Sequence, residues 1–204
     1  MKIFCLANNF AQHAQEIQHE IPEKPVFFLK PDTALLRNNE PFPIPSFSNE
    51  VHYELELVLK IKKLGKSIKP QFASRYYSEV GLGIDFTARD IQRECKAKGL
   101  PWEIAKGFDY SAAISSQFIE ISALPYPQNI HFWLEINGKV VQNGYSSDML
   151  FKFDTILSHI SQYMTLRTGD LIYTGTPPGV GCVHPGDRIK AYLEDQLLMD
   201  FRVV

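Results

Sequence analysis

The chain has 204 residues, of which 45% are hydrophobic and 22% charged, the balance of a soluble globular protein long enough to bury a sizeable core. Its 21 basic and 23 acidic residues nearly cancel and form no long block of one sign, so neither a nucleic acid nor a membrane surface is an expected partner. No apolar run approaches the roughly 18 residues of a membrane span, and three scattered cysteines without a Cys-x-x-Cys pair predict a reduced, cytoplasmic protein with no structural zinc.

Ile3 to Ala7 reads as a first strand, followed by a short helix from Phe10 to His19 with Asn8 or Asn9 as its cap and Pro22 beyond its end. On that helix His13 and Glu16 are three apart and share a face. They are either two polar residues on a surface helix or a histidine general base oriented by a carboxylate, on a segment suited to act as a lid. Pro25 to Lys30 is a second strand, and a Pro- and Asn-rich loop leads to Ser48.

Val51 to Leu59 alternates like a strand, which sends Glu54 and Glu56 to one side and Tyr53, Leu55 and Leu57 to the other. Two carboxylates so placed either face solvent or hold a hard divalent cation between them. Lys60 to Lys69 is a charged turn, and Pro70 opens a predicted helix that carries Phe72, Tyr76 and Val80 inward. Val80 to Ile84 is apolar, so Asp85 ends a buried strand, where a carboxylate is costly unless paired or bound to metal. Arg89 and Gln92 share a face at the start of the next helix, and Arg89 either pairs with Asp85 or Asp90 or presents donors to an anion. That helix stops at Gly99, with Pro101 after it.

Lys106 lies between Ala105 and Gly107, compatible with a surface lysine or with a buried cation facing a metal. His131 to Ser146 is a hairpin around Asn137-Gly138, and Phe153 to Met164 is a core-packed helix. Leu171 to Thr174 is a short strand that breaks into Gly175-Thr176-Pro177-Pro178-Gly179-Val180-Gly181. The glycines of that loop admit a ligand close to the backbone, and its hydroxyls and amides can bind a carboxylate. It lacks the Lys-Ser/Thr ending of a nucleotide-binding loop. Ile189 to Glu194 and Leu197 to Val204 are the last strands. With no repeat, linker or low-complexity segment, one domain over 1–204 is expected.

The ordered set of segments resembles the fumarylacetoacetate hydrolase family, and within it the single-domain acylpyruvate hydrolases and oxaloacetate decarboxylases. The matching residues are Asn9 to Glu16, Phe28-Leu29-Lys30-Pro31, Glu54-Leu55-Glu56, Asp85 to Asp90, Glu94 to Trp102, Lys106 to Asp109, Asn137-Gly138 with Gln142, and Thr174 to Gly181. The resemblance covers essentially the whole chain. It implies an α+β, mainly β fold, a mixed-sheet β-roll with a few short peripheral helices, assembled as a homodimer around a Mg²⁺ or Mn²⁺ site. It places the metal on Glu54, Glu56 and Asp85, Lys106 beside it, the substrate carboxylate on Arg89, Gln92 and Thr176, and a lid dyad on His13 and Glu16. Phe10 stands where the family often has Tyr, His52 where Asp is common, and Leu193-Glu194-Asp195-Gln196 lacks the usual glycine turn.

The expected chemistry follows from that set. Three carboxylates leave about three positions open on an octahedral ion, two of which a 2-oxo acid can fill. The ion would then act as a Lewis acid on the ketone, with Lys106 adding positive charge. Oxaloacetate reaches the pyruvate enolate by losing CO₂, whereas an acylpyruvate reaches it only after water attacks the distal carbonyl, for which His13 and Glu16 supply the base. The alternatives are an isomerase, tautomerase or hydratase of aromatic degradation, which would not need the dyad, and a non-catalytic ligand-binding protein. Pyruvate release separates the last from the hydrolase or decarboxylase.

Overall fold

The structure, a computed structural model, describes residues 1–11 and 22–204. In chain order the strands are β1 (Ile3–Ala7), β2 (Val26–Lys30), β3 (Leu35–Leu36), β4 (Val51–Tyr53), β5 (Leu55–Lys60), β6 (Glu79–Asp85), β7 (Thr87–Ala88), β8 (Ala112–Ile114), β9 (Ile119–Glu120), β10 (His131–Ile136), β11 (Lys139–Tyr145), β12 (Leu171–Tyr173), β13 (Gly181–Cys182), β14 (Arg188–Leu193) and β15 (Gln196–Arg202). The α-helices among the described residues are α1 (Arg89–Lys98), α2 (Glu103–Lys106) and α3 (Phe153–Tyr163). Apart from Phe10 and Ala11, the expected first helix, with His13 and Glu16, lies outside the described residues.

Three sheets form. The largest has eight strands, in the order β2-β1-β12-β5-β6-β8-β3, with β9 also pairing β6. It is mixed: β1 runs parallel to β12 and β3 parallel to β8, while β5 and β6 are antiparallel. A four-stranded sheet has the order β11-β10-β14-β15, and a three-stranded one the order β13-β4-β7. The mainly β mixed-sheet architecture with a few helices is the one expected.

The hydrophobic pattern of β5 explains how the layers meet. Leu55, Leu57 and Leu59 are fully buried in the main core with Phe132, Leu134, Ile189 and Phe201 of the four-stranded sheet. Val58 faces a second apolar cluster with Ile3, Cys5, Ala112 and Tyr173. A strand buried on both sides gives Glu56 no solvated face, and it is 1% exposed.

Two expectations are corrected. Val51 to Leu59 is not one strand: it breaks at Glu54, so that β4 joins the small sheet and β5 the large one. At the break the Leu55 amide donates to Gln142 Oε1 at 2.8 Å, a side-chain substitute for a ladder bond. The segment at Pro70 is a 3₁₀ turn, Pro70–Arg75, whose buried residue is Ala73; Phe72 is 39% exposed and Val80 belongs to β6. Six residues of 3₁₀ geometry cannot present the three inward positions that a longer α-helix would.

Local signals elsewhere hold. Gly99 takes φ +62° and ends α1 in the left-handed conformation that glycine adopts without steric cost. In the β14–β15 turn Glu194 takes φ +50° where glycine is usual. It is held there by its carboxylate, which accepts from the His131 amide at 3.1 Å, and by its carbonyl, which accepts from Trp133 Nε1 at 3.2 Å.

Candidate metal centre and substrate cleft

The antiparallel register of β5 and β6 brings the acidic residues together. Leu55 lies opposite Ile84 and Glu56 opposite Gly83, and the Asp85 amide donates to the Glu54 carbonyl at 2.8 Å. Glu54, Glu56 and Asp85 each offer a carboxylate oxygen within 4.8 Å of the others, and all three are buried. The solvated-face alternative for Glu54 and Glu56 is thereby excluded.

Cations surround this cluster. Lys106, at the end of α2 and 3% exposed, donates to Glu54 Oε2 at 2.8 Å and to Asp85 Oδ2 at 2.9 Å. Arg89, at the start of α1, pairs through Nη2 with Glu54 Oε1 and through Nη1 with Gln92 Oε1 at 2.6 Å. Of the alternatives for Arg89, it takes neither aspartate: Asp90 instead receives Ser48 Oγ at 2.6 Å and the Asn49 amide at 2.9 Å. Lys106 is the buried cation of the two readings open to it.

Lys30 was not anticipated as a site residue. Its Nζ donates to the carbonyls of Ser111 at 2.7 Å and Phe86 at 3.1 Å and stands 2.6 Å from Asp85 Oδ1. The approach to Asp85 is off the direction of a hydrogen bond, and Asp85 Oδ1 remains a buried oxygen that accepts none. Only the charged residue in Phe-Leu-Lys-Pro, at the end of an apolar strand, hinted at such a role.

The loop after β12 closes the far side. Gly175 takes φ +96° and donates its amide to Glu56 Oε2 at 2.5 Å; a Cβ there would meet Asn9 Cβ at 2.7 Å. Asn9 fastens this region, donating to the carbonyls of Thr174 at 2.7 Å and Phe151 at 3.1 Å and accepting from the Phe151 amide at 2.8 Å. Gln142 Nε2 donates to Thr176 Oγ1 at 2.8 Å and to the Pro177 carbonyl at 2.9 Å. Gln142 and Asn9 are polar residues whose partners lie 34 to 165 positions away, so spacing alone could not reveal them.

Electrostatics follow burial and proximity. Burial, then Asp85 and Glu54, push the Glu56 carboxyl well above its ordinary range. Burial acts to lower Lys106, but the attraction of Asp85 and Glu54 outweighs it and holds the ammonium above its usual value. Burial, then Arg89 and Lys106, lower Lys96 to about 8. The buried Cys5 thiol is raised, first by burial and then by Asp85, which makes it a packing residue and not a nucleophile.

A cleft opens over these groups, lined by Glu54, Glu56, Arg89, Gln92, Lys106 and Thr176. Phe28, Trp102 and Lys96 also line it, with Leu6, Ala7 and Asn8 at the end of β1. A larger cavity of about 690 Å³ lies elsewhere, beside Tyr77, Phe153 and Asp154, and includes none of the buried charges described above. The residues present fit a divalent ion. The donor set is all oxygen, as hard cations prefer, and the three buried carboxylates crowd within 4.8 Å of one another, a like-charge repulsion that a cation between them relieves.

Fold and site together define a curled, mainly β protein with an acidic triad at the floor of a cation-walled cleft, suited to a hard cation and a small anion. The chain belongs to the fumarylacetoacetate hydrolase family: the domain described as fumarylacetoacetate (FAA) hydrolase C-terminal matches residues 2–204. It is 41% identical over 201 residues to oxaloacetate tautomerase FAHD1, mitochondrial, of Bos taurus, covering 98% of this chain and 90% of that protein. It is 43% identical over 190 residues to a mitochondrial oxaloacetate decarboxylase of Dictyostelium discoideum, covering 93% and 87%. A crystal structure of fumarylpyruvate hydrolase from Pseudomonas aeruginosa in complex with Mn²⁺ and pyruvate superposes with a TM-score of 0.93 at 32% identity, covering 100% of this chain and 89% of that one. Among the described residues no helix is long and apolar enough to cross a membrane.

Proposed function

We propose that the protein is a Mg²⁺- or Mn²⁺-dependent enzyme of short 2-oxo acids, acting by acylpyruvate hydrolysis, oxaloacetate decarboxylation or both, through the enolate of pyruvate. The supporting observation is the buried triad of Glu54, Glu56 and Asp85 with Lys106 wedged between two of its members. A divalent ion held by these carboxylates would supply Lewis-acid polarisation of the 2-oxo group.

The remaining roles fall to the chain itself. Lys106 brings a fixed positive charge to the oxygen on which negative charge develops, and a preorganised cation in a water-poor site is worth far more than one in solvent. Arg89 and Gln92, buried on the first turn of α1, and Thr176, fixed by Gln142, hold the substrate carboxylate. Phe28 and Trp102 keep water from that side of the cleft. His13, oriented by Glu16, would take the proton from the attacking water in the hydrolytic reaction only.

A second reading is keto–enol tautomerisation, favoured by the name of the Bos taurus relative. It passes through the enolate of oxaloacetate itself, formed when a C3 proton is moved, and breaks no C–C bond. Sequence reasoning weighed His13 and Glu16 against it, yet a proton relay serves tautomerisation as well as it serves water activation.

The deciding experiment follows oxaloacetate and acetylpyruvate in parallel, with Mg²⁺ and with chelator, recording pyruvate release and enol absorbance separately. Metal-dependent pyruvate release supports hydrolase or decarboxylase action, and metal-dependent enol conversion without pyruvate supports the tautomerase. No change in either substrate sinks both readings. The match over 2–204 supports one catalytic domain, and cysteines that form no disulfide support a reducing compartment, read here as cytoplasmic. A homodimer is part of the same proposal, and light scattering of the purified protein tests it.

A further inference from the structure

One face of α1 carries more than the two residues assigned to the substrate carboxylate. Arg89, Gln92 and Lys96 stand at i, i+3 and i+7, a single helical stripe, and all three line the cleft. Lys98, two residues on, behaves differently: it is exposed and pairs with Glu94 at 2.5 Å along the helix surface. Lys96 is half-buried and lies over the Trp102 ring, 5.1 Å from its centroid.

The opposite wall repeats this direction. Lys106 lies 5.1 Å from the centroid of Phe28, and Phe28 meets Trp102 edge to face at 6.1 Å. A path therefore runs from the carboxylate triad past Lys106, Phe28 and Trp102 to Lys96. It begins at a buried ammonium and ends at a half-exposed one, with an aromatic wall between.

At a rise of about 1.5 Å per residue, Lys96 lies roughly 6 Å along the helix axis from Gln92 and about 10 Å from Arg89. A molecule whose first carboxylate rests on Arg89 and Gln92 would reach Lys96 with a group some four to six carbons away. The field at that point is positive, since Arg89 and Lys106 are what, after burial, depress Lys96.

Resting on the reading of this cleft as a 2-oxo acid site, we propose that Lys96 is a specificity-determining residue that receives a second, distal carboxylate, so that the preferred substrates are dicarboxylic 2-oxo acids and not their monocarboxylic counterparts. A half-buried ammonium beside an aromatic face gives a charge-assisted hydrogen bond that a terminal methyl group cannot replace.

The test uses unreactive matched pairs: 2-oxovalerate against 2-oxoglutarate, and 2-oxohexanoate against 2-oxoadipate, each pair differing by a terminal methyl or carboxylate. Dissociation constants are measured by calorimetry on the Mg²⁺-loaded protein. The wild type should favour the diacid of at least one pair by roughly tenfold, the worth of one charge-assisted contact. Lys96→Met should collapse that ratio towards one, and Lys96→Arg should keep most of it. Binding of both members without preference, or a preference that survives Lys96→Met, overturns the assignment to Lys96. Failure of the wild type to bind any of the four acids overturns the 2-oxo acid reading itself, and the inference with it.

Discussion

Replacing Lys30 by methionine removes a buried charge while nearly conserving side-chain volume. Lys30 is 2% exposed, 2.6 Å from Asp85 Oδ1, and donates to two backbone carbonyls. Removing one partner of a buried ion pair costs about 3–5 kcal/mol, and Lys106, which still donates to Asp85 Oδ2, places this variant towards the lower end. For a chain of this size each kcal/mol moves Tm by about 2–4 °C, so a fall of about 6–20 °C is expected in chelator. A divalent cation beside Asp85 would replace the lost positive charge, so the gap between wild type and Lys30→Met should narrow in excess Mg²⁺. Thermal unfolding of both proteins, in chelator and in Mg²⁺, provides the measurement. A variant within about 2 °C of wild type in chelator would show that Lys30 does not compensate Asp85. A gap unchanged by Mg²⁺ would show that the ion does not bind against that carboxylate.

Glu56→Gln exchanges an anionic donor for a neutral amide and should abolish metal-dependent turnover and weaken Mg²⁺ binding strongly; full activity in the variant would remove Glu56 from the metal site. Since the Glu56 carboxyl is held well above its ordinary range by burial, Asp85 and Glu54, protons compete with the cation. Metal affinity should therefore rise with pH, with proton release on binding, until the group is fully ionised. Calorimetry in buffers of different ionisation enthalpy reads that proton directly, and none released would contradict the linkage. His13→Ala should lower acylpyruvate hydrolysis by about 10²–10⁴-fold, the usual worth of a general base, while largely sparing oxaloacetate decarboxylation. Glu16→Ala should do the same less severely, and Lys106→Ala should damage both reactions. Equal losses in the two activities on His13→Ala would move His13 from water activation to binding.

What could be read from the chain and what could not divide along physical lines. Glu54 and Glu56 were legible because strand alternation is local, and Arg89 with Gln92 because a helical face is local. Gly99 was legible because the end of a helix needs a backbone conformation that few residues adopt. Lys30 gave little sign of itself: its partners Asp85, Phe86 and Ser111 lie 55 to 81 positions away, and no spacing rule reaches that far. The break at Glu54 was hidden for the same reason, since it depends on Gln142 arriving from β11 to take up the Leu55 amide. Pro70 misled because a proline at a helix start does not specify whether an α-helix or a 3₁₀ turn follows.

The short strand β12 also sets the order in which the protein can be completed. It lies between β1 and β5 in the large sheet, so the hairpin β1–β2 at the start of the chain and the hairpin β5–β6 that carries the acidic residues are not neighbours until it arrives. Its pairing with β1 joins Ile3 to Leu171, the kind of distant contact whose loop must close before it stabilises anything. Once seated, Tyr173 fills the space left by Gly83 and bonds the Ala113 carbonyl at 2.9 Å. The next residues are Thr174, Gly175 and Thr176, so the amide on Glu56 and the hydroxyl in the cleft are delivered by the strand that finishes the sheet. A nascent or partly unfolded chain lacking that strand holds the carboxylates without the loop that faces them. Competence for ligand thus requires the same strand that completes the sheet, and a chain stalled without it lacks the amide and the hydroxyl that face the carboxylates.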